Sequence, residues 1–226
     1  MVAIGLVGGA IGVSLLAFGG FRLHGFLHAM KLYREKTKSE TAAVPSSFLK
    51  LLDERKQHHH HYNFFRINDE VMGGKSTSTL EATSFGSLLF TGLINTNGSG
   101  FASCRTLGDE KPLGMSADSS ALEIEASGDG QLHKVVLHLG DSWAMSTPIF
   151  AHDFAPTAGF ATYRLPLSDF IPSRQGRAVN REKHKLDASS VTGLGFSLSL
   201  YTADGRPNPQ FGDGPFRLEV RSVREV

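Results

Sequence analysis

Cysteine is nearly missing from this chain: Cys104 is the only one among 226 residues, so no disulfide can form within it. That excludes the small secreted scaffolds that disulfides hold together and favours a reducing or organellar interior. Surplus charge is missing too. The formal net charge is +1, with Lys and Arg scattered and no basic block or aromatic stacking signature, which excludes nucleic acid as the expected partner. No phosphate-cradling loop is present, since Gly5 and Gly8 lack the G-x-G-x-x-G spacing and no βαβ pattern follows them. Trp143 is the single tryptophan, so no aromatic platform for a sugar is visible. Nor does the order of residues show a clustered nucleophile and base.

What the chain does have at its start is a long uncharged run. Residues 1–21 read MVAIGLVGGAIGVSLLAFGGF, with no charge before Arg22. As a helix this run spans roughly 30 Å, the thickness of a hydrocarbon core, and predicts an N-terminal transmembrane helix. The pairs Gly5/Gly9 and Gly8/Gly12 have the four-residue spacing of small-residue helix interfaces, so membrane helices of a partner and lipid are the expected contacts. A cleaved targeting peptide and a buried helix are the competing readings, and a secretory signal would begin with a positive region that is missing here. Arg22, Lys31, Arg34, Lys36 and Lys38 follow, which places the C-terminal domain on the cytoplasmic or the equivalent matrix side. His24, His28 and Tyr33 fall at headgroup depth. Two histidines on one helix face, without further ligands, make no metal site.

The anchor and its border are expected over 1–30 and a basic, polar linker over 31–61. Residues 37–47 read as an exposed connector containing Pro45, and Ser47 as the cap of a short amphipathic helix over 48–57 with Phe48, Leu49, Leu51 and Leu52 on its apolar strip. The histidine run 58–61 cannot converge on one ion, because adjacent side chains point apart, and reads as a solvent-facing junction.

From residue 62 to 226 the pattern becomes short alternating runs divided by Gly, Pro, Asp and Asn. Strands are expected at 76–82, 87–92, 101–106, 120–126, 132–139, 146–150, 160–166, 194–200 and 215–222. Leu122, Ile124 and Ala126 alternate cleanly, and in the last run Phe216, Leu218 and Val220 face in while Arg217, Glu219 and Arg221 face out. Many short strands with turn-rich joints predict a mainly β, two-sheet sandwich. Residues 168–192, with Pro172, Arg174, Arg177, Arg181 and Lys183, read as a long exposed loop, where binding function tends to reside.

The stretch 68–76, NDEVMGGKS, carries the densest signal. Gly73 and Gly74 supply a backbone shape closed to residues with a Cβ, and Asn68 and Asp69 can accept hydrogen bonds from nearby amides. A structural turn is the main reading, a partner-contacting loop the second, and a catalytic carboxylate at Asp69 the weakest. Cys104 reads as a small buried side chain rather than a nucleophile. Asp153 beside His152 and Asp141 near Trp143 are too thin a basis for an acid–base site. Asn97, Gly98 and Ser99 form a glycosylation acceptor only if exposed to a lumen, against the inferred topology.

Five blocks in order, FRINDEVMGGKSTS (65–78), LLFTGLINTNGSGFASCRT (88–106), LPLSDFIPSR (165–174), VTGLGFSLS (191–199) and GPFRLEVRSV (214–223), resemble the complex I intermediate-associated protein family. Two positions depart from that pattern: Glu70 stands where the family has a small residue, usually Gly, and Phe65 where it has Trp. The resemblance implies a galactose-binding-like jelly-roll sandwich, mitochondrial location, and a non-enzymatic role with subunits of NADH:ubiquinone oxidoreductase. It implies no cofactor, metal or catalytic residue. The expected protein is thus a single-pass scaffold of the inner mitochondrial membrane with its domain in the matrix, an accessory subunit or, alternatively, a transient assembly factor. A carbohydrate or small-ligand module and a membrane-bound enzyme are the alternatives of other classes. Residues marked for structure or partner contact are Gly5, Gly8, Gly9, Gly12, Asn68, Asp69, Met72, Gly73, Gly74, Arg174 and Arg177.

Overall fold

Period-two burial runs through the described chain and settles its class. The computed structural model describes residues 41–52, 61–97, 100–106, 111–140, 147–174 and 177–226. The expected membrane span, its four marked glycines, most of the linker, residues 58–60 of the histidine run and Trp143 lie outside them. Strands β1 (Thr41–Pro45), β2 (Leu49–Lys50), β3 (His61–Asn68), β4 (Thr77–Ala82) and β5 (Leu88–Ile94) come first. They are followed by β6 (Phe101–Thr106), β7 (Ala121–Gly128), β8 (His133–Leu139), β9 (Ile149–Phe154) and β10 (Ala161–Pro166). The last four are β11 (Ile171–Arg174), β12 (Arg177–Ala178), β13 (Val191–Ser199) and β14 (Gly214–Glu225). Among the described residues the only helical turns are short 3-10 turns, and no helix is long and apolar enough to cross a membrane.

Two sheets face each other. An eight-stranded sheet has the order β1-β3-β6-β13-β8-β9-β11-β12, and a second sheet has the order β10-β7-β14-β5-β4 with β2 joined to β14. Every pairing is antiparallel except β2 with β14. The inner faces make one core. Leu122, Ile124, Ala126, Phe216, Leu218 and Val220 come from the second sheet, and Val135, Leu137, Leu194, Phe196 and Leu198 from the first. Phe64 is edge-on to Phe48, with centroids 5.5 Å apart, and stacks on Phe196 at 6.3 Å. Burying such side chains contributes roughly 2 kcal/mol each before the cost of ordering them.

β13 is buried along its whole length, and its Gly195 lies against β6, where an added Cβ would stand 2.6 Å from the Cys104 carbonyl oxygen. The outer face of the second sheet is a lattice of charge pairs instead: Arg164 and Arg224 with Glu123, Arg221 with Glu125, and Arg217 with Glu219. Arg221 also lies over the Phe160 ring at 3.7 Å.

Three expectations change here. Residues 48–50 do not begin an amphipathic helix: Ser46–Phe48 is a 3-10 turn and Leu49 and Lys50 form β2. Phe48, Leu49 and Leu51 are all buried, because an extended segment beside β14 lets three apolar side chains reach a core that a solvent-facing helix would not. Residues 41–45 are not an exposed connector. Ala42 and Val44 are buried as β1 closes the edge of the large sheet on β3. Finally, 168–192 is not wholly irregular, since β11 and β12 extend the large sheet beyond β9.

Strand registers define two ends of the sandwich. Asn68 pairs with Ala102 and Phe101 with Ser199, so the turn after β3, the start of β6 and the end of β13 share one end. Val191 pairs with Leu139, and His138 with Ile149, so the start of β13 and of β9 lie at the other.

Candidate functional site

At the first end, the glycine-rich stretch forms the crossover from β3 in the large sheet to β4 in the small one. Asp69–Met72 is a 3-10 turn closed by Gly73 in the left-handed region at φ 85°, whose N–H reaches back to the turn carbonyls. Gly74 N donates to Asp69 O at 2.9 Å. Asp69 is fully buried, and its carboxylate accepts from Ser76 N at 2.9 Å, from the Ser76 hydroxyl at 2.8 Å and from Phe101 N at 3.4 Å. The Ser76 hydroxyl in turn lies 3.1 Å from Asn95 N. Asn68 and the Ser78 hydroxyl are hydrogen bonded at 2.6 Å; with the amide nitrogen facing Ser78, the amide oxygen accepts from Arg66 and Ser78 N. These bonds clamp the two sheets together with Asn95 and Phe101. A buried carboxylate so engaged acts as a brace between these segments.

A second buried polar group lies across the outer face of the large sheet. Lys134 is 8 % exposed, and its Nζ donates to the Ser199 hydroxyl at 2.7 Å and to Tyr201 O at 2.8 Å. The carboxylate of Asp153, its cross-strand neighbour, accepts from Ala203 N at 3.0 and 2.9 Å. Burial pulls the Lys134 ammonium down to about 8 against the attraction of Asp153, and burial pushes Asp153 up against the Ala203 N–H. His138, four residues along β8, is held well below the usual histidine range by burial and then by Arg105. The pair fastens residues 201–208 onto the sheet, aided by Asn208, whose amide donates to Leu132 O and Ser199 O. Cys104 is buried and its thiol is pushed far up by desolvation, the opposite of an activated nucleophile.

The opposite end of the sandwich holds a cavity of about 850 Å³. The buried Phe150, Leu167 and Phe170 back it, and the exposed or half-buried Arg181, Glu182, His184, Lys185 and Leu186 line its solvent side. Asn180 holds one end of that solvent side, its side chain accepting from Glu182 N at 2.8 Å and Lys183 N at 3.2 Å. Asp187 holds the other, accepting from Ser189 N and the hydroxyls of Ser189 and Ser190 at 2.7–3.0 Å. Those hydroxyls, Ser190 first, keep the Asp187 carboxyl below the usual range. On the far wall the hydroxyls of Ser119 and Ser120 are taken by Glu225 and the Val226 carbonyl.

Of the residues marked from sequence, the structure brings Asn68, Asp69, Gly73 and Gly74 together in the crossover, with Met72 on its backbone. Arg174 is exposed at the end of β11, and Arg177 begins β12. The residues behind the cavity were not marked. Phe150 lies near the start of β9, Phe170 just before β11 and Leu167 in a 3-10 turn, so no spacing along the chain announces them; only the charged run 181–185 was a signal. Among the described residues no group of three or more His, Cys, Asp or Glu is placed to hold a metal ion.

The model of the complex I intermediate-associated protein 30 family matches residues 54–220. The chain belongs to that family. A curated relative, complex I intermediate-associated protein 30, mitochondrial, of Drosophila melanogaster, is 27% identical over 166 residues, which cover 66% of this chain and 53% of the relative. The chain thus spans about half the length of that family member. Among solved structures, the family 11 carbohydrate-binding module of the Clostridium thermocellum cellulase Lic26A-Cel5E aligns with 78% of this chain and 96% of its own, at 12% identity and a TM-score of 0.45. The same organism's family 11 module in complex with a mixed-linked tetrasaccharide aligns with a TM-score of 0.44, also at 12% identity, over 78% of this chain and 97% of its own.

Proposed function

We propose that this chain is a non-enzymatic scaffold of mitochondrial respiratory complex I, an accessory subunit that supports its assembly or stability. The observation that carries the reading is Asp69. The buried carboxylate of the densest family motif is engaged in bracing the two sheets, which supports a motif that serves the shape of the domain. Family membership supplies the complex I context. In this reading residues 1–21 span the inner membrane and pack through Gly5, Gly8, Gly9 and Gly12 against partner helices, and the sandwich stands in the matrix. Its mechanism is positional: one element selects the membrane, the other holds a matrix-facing subunit.

Native separation of gently solubilised mitochondrial membranes, with mass spectrometry of each fraction, tests the proposal. Near-equal abundance with fully assembled, active complex I identifies a resident subunit. Enrichment in smaller intermediates alone identifies a transient assembly factor, and absence from both overturns the scaffold reading.

A further inference from the structure

Phe85 is 89% exposed, more open than any other large apolar side chain among the described residues. Phe160, at 37%, lies under Arg221, and Leu93, at 50%, is spread on the outer face of the second sheet. Phe85 instead stands at the tip of the β4–β5 hairpin, at the end of the sandwich opposite the Asp69 crossover. The tip is closed tightly. Gly86 N donates to Thr83 O and Thr83 N to Ser87 O, both at 2.9 Å, and Gly86 takes the left-handed region at φ 79°, as in a three-residue hairpin loop. The Thr83 and Ser87 hydroxyls are hydrogen bonded at 2.6 Å, and the Ser87 hydroxyl donates to Glu219 at 2.7 Å. An added Cβ on Gly86 would stand 3.1 Å from Pro45, so the loop also rests on the end of β1. Nothing in this turn calls for an aromatic ring, and the ring is no part of the core.

We propose that this hairpin is a docking knob, with Phe85 entering an apolar pocket of a partner subunit. The loop is ordered by its own hydrogen bonds, so the ring is presented without the entropy cost of fixing a mobile loop. A single aromatic anchor filling a pocket, ringed by small polar groups that exclude water, is the arrangement that carries most binding energy at protein interfaces. Thr83, Ser84, Gly86 and Ser87 are those small neighbours. The charge around the tip favours a protein over a membrane surface. Loops that enter anionic lipid place cations beside the apolar tip, and Thr83–Ser87 has none. Behind the tip, Leu89 pairs with Glu81 on one side and Glu219 on the other, and Arg217 is taken up by Glu219. The inference rests on the scaffold reading and names the place by which the scaffold grips its partner.

The test replaces the chain in mitochondria by Phe85→Ser, Phe85→Leu, the control Leu93→Ser, or a form with photoreactive p-benzoylphenylalanine in place of Phe85. Phe85→Ser is expected to lower the chain's share of complex I fractions in native separation by about tenfold or more. Phe85→Leu keeps an apolar knob and should lose less, and Leu93→Ser should lose nothing. Purified Phe85→Ser should unfold thermally as the wild type does. Light should join the photoreactive ring to residues lining an apolar pocket of one complex I subunit, located by mass spectrometry. An equal loss in Leu93→Ser, or earlier unfolding of Phe85→Ser, overturns the proposal. Adducts on lipid acyl chains alone overturn it too and assign the hairpin to the membrane surface. A wild-type chain that co-migrates with complex I, matched by Phe85→Ser, removes the knob and leaves the scaffold standing. A wild-type chain absent from those fractions, whose photoreactive form joins an apolar pocket of another identified protein, keeps the knob and removes the scaffold.

Discussion

Gly74 lies so close to the side chain of Asp69 that an added Cβ would stand 2.2 Å from Asp69 Cγ and 2.5 Å from each carboxylate oxygen. The two neighbouring glycines of the motif therefore answer different demands. Gly73, at φ 85° with open space around it, is there for backbone conformation, and Gly74 is there for room.

Gly74→Ala should cost about 3 kcal/mol, because the carboxylate it displaces is fully buried and is the hub of the crossover's hydrogen bonds. Gly73→Ala should cost about 1 kcal/mol, the left-handed strain alone. Urea unfolding of the two variants against the wild type reads the difference directly. Equal costs would show that the crowding at Gly74 is relieved by a shift of Asp69.

Asp69→Asn tests the brace itself. Ser76 N, the Ser76 hydroxyl and Phe101 N all point at oxygens, and an amide nitrogen at one of those positions faces donors with a donor. The expected loss is about 2 kcal/mol of stability. A variant as stable as the wild type, yet absent from complex I fractions, would mean that Asp69 contacts a partner instead.

The strands in the body of the domain were readable because each presents an alternating face: the runs at 101–106 and 132–139 and the closing run at 215–222 lie within a residue or a few of β6, β8 and β14. Fewer signals marked the margins. β1 is five residues with three small apolar side chains and a proline, which looks like a connector until β3 is beside it. Phe48, Leu49, Leu51 and Leu52 match a helical strip in spacing, and only the groove next to β14 decides for an extended chain. The crossover was legible as a turn from its glycines. That Asp69 holds Ser76 and Phe101 was not, because Phe101 is 32 residues away.

Lys134 gives a prediction on the alkaline side. Its folded pKa of about 8 lies below the 10.5 of an unfolded lysine, so between these values the unfolded chain binds a proton that the native one has shed. Stability relative to Lys134→Met should therefore rise with pH across this window, by at most about 1.4 kcal/mol per pH unit, and level off above it. Urea midpoints of both proteins measured across the window check the sign. A difference that falls with pH would show that attraction to Asp153 outweighs burial.

Asp129 acts on the acid side. Burial opposes its ionisation, but the imidazole of His133 at 3.8 Å and the N–H groups of Arg217 and Gln131 bring its carboxyl down to about 2. Its contribution is complete above the unfolded value of 3.8 and is lost as pH falls toward 2. Acid titration followed by near-ultraviolet circular dichroism should show a later transition for the wild type than for Asp129→Asn.

Cys104 should resist thiol reagents. With the sulfur buried in the core and the thiolate strongly disfavoured, labelling by a disulfide reagent is expected at the rate of unfolding and to become fast in denaturant. Rapid labelling of the native chain would contradict the burial of β6.

The place of β13 in the large sheet has a kinetic side. Among the described strands it is the thirteenth to be made, and it lies between β6 and β8, joined to both. Until residue 199 has emerged, the inner halves of that sheet have open edges facing each other, with Leu137 and Cys104 bare on either side of a missing strand. A chain delivered N-terminus first therefore carries the facing edges of β6 and β8 open until late, which slows folding and makes a holding chaperone advantageous during delivery.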